Sequence, residues 1–410
     1  MMPWGITFEL RLRGVIDARG LERARKLPPA PRGQPFTERR SCGARRDDVF
    51  DLRRQAVRQA FGQLMARDWQ GAFWLCCLYW EVAFVRNTSA RQRIEEQLDG
   101  AERLQRCLVP KTRADREALR RAVAAGVAVR PFSGMFMRAS TWDALKTSPR
   151  VRWRYVQNTF LDEHPDEAVC SFSAALDHGL WVSKKYLDTI HLVASGRSHG
   201  RCGTGIHRHE CPLNEIELNG TVKRTTLERT VLDCSLVASF EDGLAIADSA
   251  LRFCKLDIQK YRDYVEALAR CRSGALCAEM VARYADGASE SGGESIVRGL
   301  IIALGYLPPT MLQAEFVDPI DGGAIRADMY YELPNGIRLI IEVDGFGKYV
   351  GADGLGKEMQ RRLVAERQRE SHITALGIPV MRVQFSRVYE DGYLEHLLRR
   401  FGVPKVAPHM

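Results

Sequence analysis

The sequence contains no Cys-x-x-Cys pair, although its 410 residues include 11 cysteines. An odd number of unclustered cysteines argues against a disulfide framework and favours reduced thiols in a cytosolic protein. The chain shows no internal repeat, so a repeat architecture is not expected. It also lacks a long uncharged apolar run. The aromatic-rich stretch 69–85 contains Gln70 and Glu81, which favours a buried helix over a membrane span.

The beginning of the chain has little that identifies a targeting segment. Its first apolar residues are interrupted by Glu9, Arg11 and Arg13, so we expect no secretory signal. Residues 1–50 are rich in arginine, proline and glycine and have no hydrophobic periodicity. We expect this stretch to be disordered, or to be an extension that does not belong to the native protein.

Charge is divided unevenly along the chain. Hydrophobic residues make up 45% of the sequence, which is typical of globular proteins, and the length predicts two or three domains. Residues 1–154 hold 31 basic and 16 acidic side chains, a net charge of +15, whereas the remainder holds 29 and 35, a net charge of −6. A basic N-terminal part on an acidic body favours nucleic acid as a partner; the alternative is a basic face without a partner.

The basic part contains the pattern of a winged helix. A first helix is predicted to run from Ser89 to Leu108. Thr112 and Asp115 have the spacing of a capping box at the start of a second helix. Residues 127–138 then predict a short hairpin, the wing.

The second helix of this pattern carries arginines on one face. Arg113, Arg116 and Arg120 lie at helical spacing, and Arg130 follows in the wing. Helix-turn-helix proteins place such a helix in the major groove, where arginines contact phosphates. We therefore expect double-stranded DNA as a partner. The alternative is a plain helical domain with a solvated arginine face.

The stretch from Ile325 to Gly345 predicts a β-hairpin with a carboxylate on each strand. Its loop, Pro334-Asn335-Gly336, fits a type I turn followed by a left-handed glycine, which gives a three-residue loop. Such a loop places Asp328 opposite Glu342, and strand alternation puts Asp344 on the same face. A two-residue loop would shift the register by one and send Asp328 and Glu342 to opposite faces.

The predicted neighbours Asp328 and Glu342 suggest a metal site. Like charges this close are costly unless a cation joins them, and hard oxygen ligands suit Mg²⁺ or Mn²⁺. The run from Leu339 to Val343 is mostly apolar, which predicts a strand buried on both faces. The alternative is a surface hairpin whose polar face is solvated.

Residues 289–305 predict a helix with Glu294 in its first turn, where an acid can simply complement the helix dipole. Together with the hairpin, this helix gives a fixed order of elements and acids along the chain: a helix with Glu, a strand with Asp, a turn, and a strand with Glu-x-Asp. This order resembles the PD-(D/E)xK nuclease core, in particular the group related to the very-short-patch repair endonuclease, whose strand ends in Ile-Glu-x-Asp-Gly. The resemblance implies a catalytic site of Glu294, Asp328, Glu342 and Asp344, with the first three as metal ligands.

The sequence departs from this family at one position. The lysine expected two residues after the second acid is replaced by Asp344. Lys348, just past the strand end, could supply the amine, or it is a solvated loop lysine. The resemblance also implies that Glu366, Arg369 and Arg382 lie near the site; alternatively they belong to a solvated helix face or a structural ion pair.

The winged-helix segment and the region that follows it resemble AbiEi-type antitoxins of abortive-infection toxin–antitoxin systems. The segments that carry this resemblance are 134–138, 171–180, 189–193 and 224–233. It implies DNA binding and a cognate toxin as a partner. His178, within the second segment, is expected to be a structural histidine.

A zinc cluster is the competing interpretation of one further segment. Cys202, His207, His209 and Cys211 carry zinc-binding atoms, but their spacing fits no common closed zinc site. The alternation from Gly205 to Cys211 is that of a strand. We therefore favour polar strand residues over zinc ligands.

The sequence thus predicts an α/β (α+β) protein. Its predicted parts are an extension at 1–50, a winged helix at 51–150, an AbiEi-like α/β domain at 151–285 and a PD-(D/E)xK domain at 286–410. The expected function is that of a cytoplasmic DNA-binding protein with a Mg²⁺- or Mn²⁺-dependent endonuclease, acting in phage defence or a toxin–antitoxin system and not in a membrane. The alternatives are a non-enzymatic antitoxin-like repressor with a degenerate nuclease fold, and a toxin-neutralising adaptor that touches no DNA.

Overall fold

The computed structural model describes residues 91–194, 200–201, 205–333, 336–344, 368 and 371–406. All of them belong to one compact unit, Phe84–Met410. The fold is a mixed α/β structure with sheets of two, six and four strands. Within the described residues, no helix is both long and apolar enough to cross a lipid bilayer.

The first part consists of two helices and a hairpin. Their bounds are 91–103 for α1, Arg113–Ala124 for α2, Ala128–Phe132 for β1 and Met135–Arg138 for β2. The predicted capping box is present, since the Thr112 hydroxyl accepts a hydrogen bond from the Asp115 amide at 3.1 Å. A small core of Ile94, Leu98, Leu119 and Phe136 holds these elements together.

The predicted end of the first helix is wrong. The helix ends at residue 103 rather than at Leu108. Gln105 adopts a left-handed conformation with φ of 53°, and the Arg106 amide donates to the Ala101 carbonyl at 2.9 Å, which closes the helix early. Leu108 instead forms an antiparallel bridge with Phe136, so tertiary pairing with the hairpin overrides the helical periodicity.

The middle part surrounds a six-stranded sheet with the order β5-β6-β4-β3-β8-β7. Its strands are Ala168–Val169 (β3), Ile190–Val193 (β4), Gly200–Arg201 (β5), Ile206–His209 (β6), Ile216–Asn219 (β7) and Val222–Thr225 (β8). Its helices are Ala139–Ala144 (α3), Pro149–Glu163 (α4), Ser171–Asp177 (α5), Leu227–Ser235 (α6), Phe240–Cys254 (α7), Ile258–Leu268 (α8) and Ala275–Tyr284 (α9), with 3₁₀ turns at Lys184–Tyr186 and Leu213–Glu215. His178 is structural, as predicted, because its Nε2 lies 2.9 Å from the Thr225 carbonyl oxygen.

The C-terminal part packs a helix on a four-stranded sheet with the order β12-β11-β10-β9. Its elements are Gly292–Ala303 (α10), Met311–Val317 (β9), Ala324–Glu332 (β10), Arg338–Asp344 (β11), a helical end at 371–375, Val380–Gln384 (β12), a 3₁₀ turn at Phe385–Arg387 and Tyr393–Arg400 (α11). Strand β11 is buried on both faces. Leu339 and Ile341 pack with Val297 and Ile301 of α10, whereas Ile340 packs with Ile373 on the other side.

Helix α10 also packs closely on α7 of the middle part. A Cβ atom on Gly299 would lie 2.7 Å from the Cα of Glu241, so only glycine permits this approach. A buried ion pair joins the same helices, with Arg298 Nη2 2.7 Å from Asp248 Oδ2. The Arg298 guanidinium also donates to the Tyr284 carbonyl at 2.6 Å. The predicted boundary at residues 285–286 is therefore spanned by buried polar contacts.

Candidate active site

The hairpin of β10 and β11 has the register predicted from its loop. Glu332 pairs with Arg338, and Met329 pairs with Ile341. Gly336 is left-handed with φ of 78°, and its amide donates to the Leu333 carbonyl at 2.8 Å. The loop residues 334–335 lie outside the described residues, but the pairing on either side of them confirms the three-residue loop.

This register brings Asp328 and Glu342 together. The Asp328 amide donates to the Glu342 carboxylate at 3.4 Å, and the Val343 amide donates to Asp328 Oδ2 at 2.9 Å. Each of the two carboxylates thus accepts a hydrogen bond from a backbone amide of the facing strand. Glu342 is only 2% exposed, whereas Asp328 is half-buried. Carboxylate oxygens of this kind are the ligands that hard divalent cations prefer.

Glu294 approaches the same place from the first turn of α10. Its carboxylate accepts hydrogen bonds from the Ser291 hydroxyl at 2.7 Å and the Glu290 amide at 2.8 Å, while the Ser291 hydroxyl accepts from the Glu294 amide. Burial raises the pKa of Glu294 above its usual value, and the negative charge of Asp328 raises it further. The cap fixes where this carboxyl points, and the neighbouring acid disfavours its ionisation.

A glutamine that the sequence analysis did not single out joins these acids. Gln313 lies between the paired positions Leu312 and Ala314 of β9, so it faces Asp328 across the sheet. Its side chain donates to Glu294 Oε2 at 2.8 Å. Its backbone is left-handed with φ of 50°, which is uncommon for a residue other than glycine. Gln313 therefore links Glu294 to the sheet beside Asp328.

Asp344, the residue that replaces the expected lysine, forms an ion pair. Its Oδ1 lies 3.1 Å from Nη1 of Arg382, and both side chains are partly exposed. Arg382 faces Glu342 across the parallel pairing of β11 and β12. Arg382 thus lies beside these acids and also forms an ion pair, which was the alternative interpretation of this residue. Lys348, Glu366 and Arg369 lie outside the described residues.

The predicted DNA-contacting arginines are all exposed. Arg113, Arg116 and Arg120 project from α2, and Arg130 projects from β1. Arg120 is paired with Glu117 on its own helix at 3.0 Å, which reduces the positive charge of that face. Arg138, at the end of the hairpin, is held by Glu95, Asp99 and Glu102 and so belongs to the fold.

Two other groups of side chains in the described part of the chain bring three potential metal-binding atoms within 4.8 Å of one another. They are His191, His207 and His209 in the six-stranded sheet, and Asp318, Asp321 and His372 beside the four-stranded sheet. Glu294, Asp328 and Glu342 are not one of these groups, since the Glu294 carboxylate is turned to its capping donors and Gln313. Sequence spacing does not reveal His191 or Gln313, because each meets its neighbours through strand pairing.

We compared the chain with protein-family models, curated proteins and solved structures. No family model, no curated protein and no solved structure matches the chain.

Proposed function

We propose that the protein binds double-stranded DNA and that its C-terminal part, residues 286–410, is a metal-dependent endonuclease of the PD-(D/E)xK type. The observation that carries this proposal is the register of β10 and β11, which sets Asp328 beside the buried Glu342. Residues 51–150 are assigned to a winged helix and residues 151–285 to an AbiEi-like domain. The place of action is the cytoplasm, in phage defence or a toxin–antitoxin system.

The donor set fits a hard divalent cation. Asp328 and Glu342 would supply carboxylate oxygens from adjacent strands. Glu294 of α10 would join them as the third ligand once its carboxylate turns away from Ser291, Glu290 and Gln313. Bound Mg²⁺ or Mn²⁺ would polarise a phosphoryl oxygen and lower the pKa of a coordinated water. Gln313 holds Glu294 in its observed orientation through its 2.8 Å hydrogen bond. Three further charged residues would balance the charge around the bound phosphate. They are Asp344, its partner Arg382, and Lys348, which follows the strand in the sequence.

DNA binding is assigned to α2 and the hairpin that follows it. The exposed Arg113, Arg116 and Arg120 lie along one helix, and Arg130 extends the same positive region to β1. Arginines on such a helix contact phosphates and set its position in the major groove. The net charge of +15 over residues 1–154 favours the same partner.

A second candidate function is that of a non-enzymatic repressor, with a cognate toxin as its partner. The ion pair between Asp344 and Arg382 favours it, because the position of the expected catalytic lysine holds an acid with its own cationic partner. In this case the C-terminal part has the fold of a nuclease but does not cleave DNA.

Plasmid nicking by the full chain separates the two functions. The endonuclease predicts conversion of supercoiled to open-circular DNA with Mg²⁺ or Mn²⁺ and none with EDTA. Glu342→Gln should abolish it, whereas Glu332→Gln, an exposed acid of the same hairpin, should not. DNA binding without nicking in any divalent metal would establish the repressor instead. The absence of DNA binding as well would favour an adaptor that acts on a toxin alone.

A further inference from the structure

Three histidines converge on one face of the six-stranded sheet. Strands β4 and β6 pair in parallel, with His191 opposite His207 and Val193 opposite His209. The Nδ1 atom of His191 lies 2.8 Å from the Nε2 atom of His209, and the rings of His207 and His209 have centroids 4.3 Å apart. Each ring places a nitrogen within 4.8 Å of a nitrogen of the other two. Three imidazole ligands are therefore assembled by strand pairing alone.

Burial favours the neutral form of His191 and His209, and neutral imidazole is the form that binds metals. His191 is 8% exposed, and burial lowers its pKa to about 3, with a further contribution from the two neighbouring histidines. Burial also lowers the pKa of His209. The ring of His207 forms no hydrogen bond with any residue that the structure describes, so its ring nitrogens are not committed to the fold.

We propose that His191, His207 and His209 bind one divalent transition-metal ion of the Zn²⁺ class. Imidazole nitrogen suits Zn²⁺, Co²⁺ and Ni²⁺, whereas Mg²⁺ requires oxygen ligands. Two nitrogens around tetrahedral zinc are ~3.3 Å apart for bonds of ~2.05 Å. His191 Nδ1 and His209 Nε2 share a hydrogen bond of 2.8 Å. Metal binding therefore replaces the proton between them, which moves to another ring nitrogen or to solvent, and separates the two nitrogens by about 0.5 Å.

A cavity of about 190 Å³ lies beside one member of the cluster, His209. His209 lines it together with Ser171, Asp233 and Arg272. Three protein ligands leave a fourth position for water or another small ligand, as in zinc sites that are not closed by protein. The ion would also join β4 to β6.

This ligand set differs from the one that sequence spacing offers. His191 replaces Cys202 and Cys211 as the partner of His207 and His209. The Cys211 thiol donates to the Pro212 carbonyl at 3.5 Å, and Cys202 lies outside the described residues. The second group, Asp318, Asp321 and His372, carries no proposal, because its acids accept hydrogen bonds from the amides of their own loop.

The test is metal uptake by the full chain, purified with a chelator and then exposed to Zn²⁺ or Co²⁺. We expect one retained Zn²⁺ per chain and a Co²⁺ spectrum of tetrahedral nitrogen ligation without thiolate charge-transfer bands. His207 is the position to replace, since it is only partly buried and its substitution should leave the fold intact. His207→Gln should weaken Zn²⁺ binding by more than ~100-fold, because even losing an outer-shell partner of a metal ligand typically costs 10–100-fold.

Two matched controls make the result specific. His372→Gln removes the histidine of the other cluster, and Glu342→Gln removes a ligand of the proposed nuclease site; both should retain Zn²⁺ and its stabilisation in thermal melts. The proposal is overturned if wild-type protein retains no Zn²⁺, if His207→Gln binds as wild type does, or if thiolate bands assign the ion to cysteines. None of these outcomes depends on whether the protein cleaves DNA.

Discussion

At the scale of single residues, Glu342 is the buried acid of the hairpin and lies beside Asp328. Its 2% exposure removes the hydration that an ionised carboxylate requires. The Asp328 amide donates to the Glu342 carboxylate at 3.4 Å, so the two acids are close neighbours on adjacent strands. Two carboxylates this close repel each other when both are ionised.

Replacing Glu342 by glutamine should relieve that repulsion while it keeps the side-chain shape. We expect the metal-free Glu342→Gln protein to be as stable as wild type or slightly more stable. Mg²⁺ at 100 times its dissociation constant should stabilise wild type by about 2.7 kcal/mol and leave the variant unchanged. Urea unfolding with and without Mg²⁺ measures both effects, and equal metal responses would exclude Glu342 as a ligand. Glu332→Gln serves as the control and should respond as wild type does.

The histidine cluster predicts loss of stability in acid. The pKa of His191 falls to about 3 in the folded protein through burial, whereas an unfolded histidine titrates near ~6.5. The unfolded chain therefore binds the extra proton first, and stability declines as the pH falls from above 6.5 towards 3. Between pH 6.5 and pH 3, the free energy of unfolding should change by up to about 1.4 kcal/mol per pH unit because of His191 alone.

Urea unfolding of chelator-treated protein between pH 7.5 and pH 5 measures this slope. The variant His191→Gln should have a shallower dependence by about one proton, whatever its absolute stability. His396 is exposed, so His396→Gln is the matched control and should keep the wild-type slope. A slope unaltered in His191→Gln would show that the histidine is not buried in its neutral form.

At the scale of elements, helix α2 has one face packed in the core and an opposite face exposed to solvent. Leu119 is fully buried in the small core with Ile94 and Leu98, while Arg116 and Arg120 point to solvent. The capping box at Thr112 fixes where the helix begins, and Gly126, with φ of 72°, follows its end. The arginine face can therefore be changed without disturbing the packed face.

The double substitution Arg116→Ala and Arg120→Ala should weaken binding to duplex DNA of any sequence. Two lost phosphate contacts should also flatten the salt dependence of log K by roughly two units. Titrations of labelled duplex at several salt concentrations give both quantities. The matched control is Arg399→Ala with Arg400→Ala, two exposed arginines on α11. Unchanged affinity and slope in the α2 variant would remove this helix from the DNA interface.

At the scale of the whole molecule, the C-terminal part packs on the middle part through α10 and α7. Arg298 lies between them with its carboxylate partner Asp248, and the Asp286 amide donates to the same carboxylate at 2.8 Å. Both charged side chains are almost completely buried. Removing one partner would leave the other charge uncompensated.

Arg298→Met should therefore destabilise the protein by about 3–5 kcal/mol. Adding Asp248→Asn should recover part of this loss, because asparagine removes the orphaned charge and can still accept from the Asp286 amide. Arg252→Met is the control: Arg252 of α7 pairs with Glu290, just before α10, but this pair is one-third exposed, so its loss should cost at most about 1 kcal/mol. Chemical denaturation measures the free energy of unfolding of Arg298→Met, of the double variant and of Arg252→Met. Equal losses in Arg298→Met and Arg252→Met would contradict a structural role for the buried pair.

The sequence alone determined the features that local chemistry controls. The register of β10 and β11 follows from a three-residue loop with glycine in the left-handed position, so the pairing that joins Asp328 to Glu342 was predictable. The cap of α2 and its arginine face follow from residues within one or two turns of each other. Turn type, capping and side-chain alternation involve neighbours in the chain, and for this reason sequence spacing reports them.

Only the tertiary structure decided the contacts between distant segments. Gln313 reaches Glu294 because β9 pairs with β10, and His191 meets His207 and His209 because β4 pairs in parallel with β6. Helix α1 ends before Leu108 because that residue is recruited by Phe136 of the hairpin. Each of these contacts depends on which strands become neighbours. That choice is made by burial of the whole core, and no local spacing along the chain encodes it.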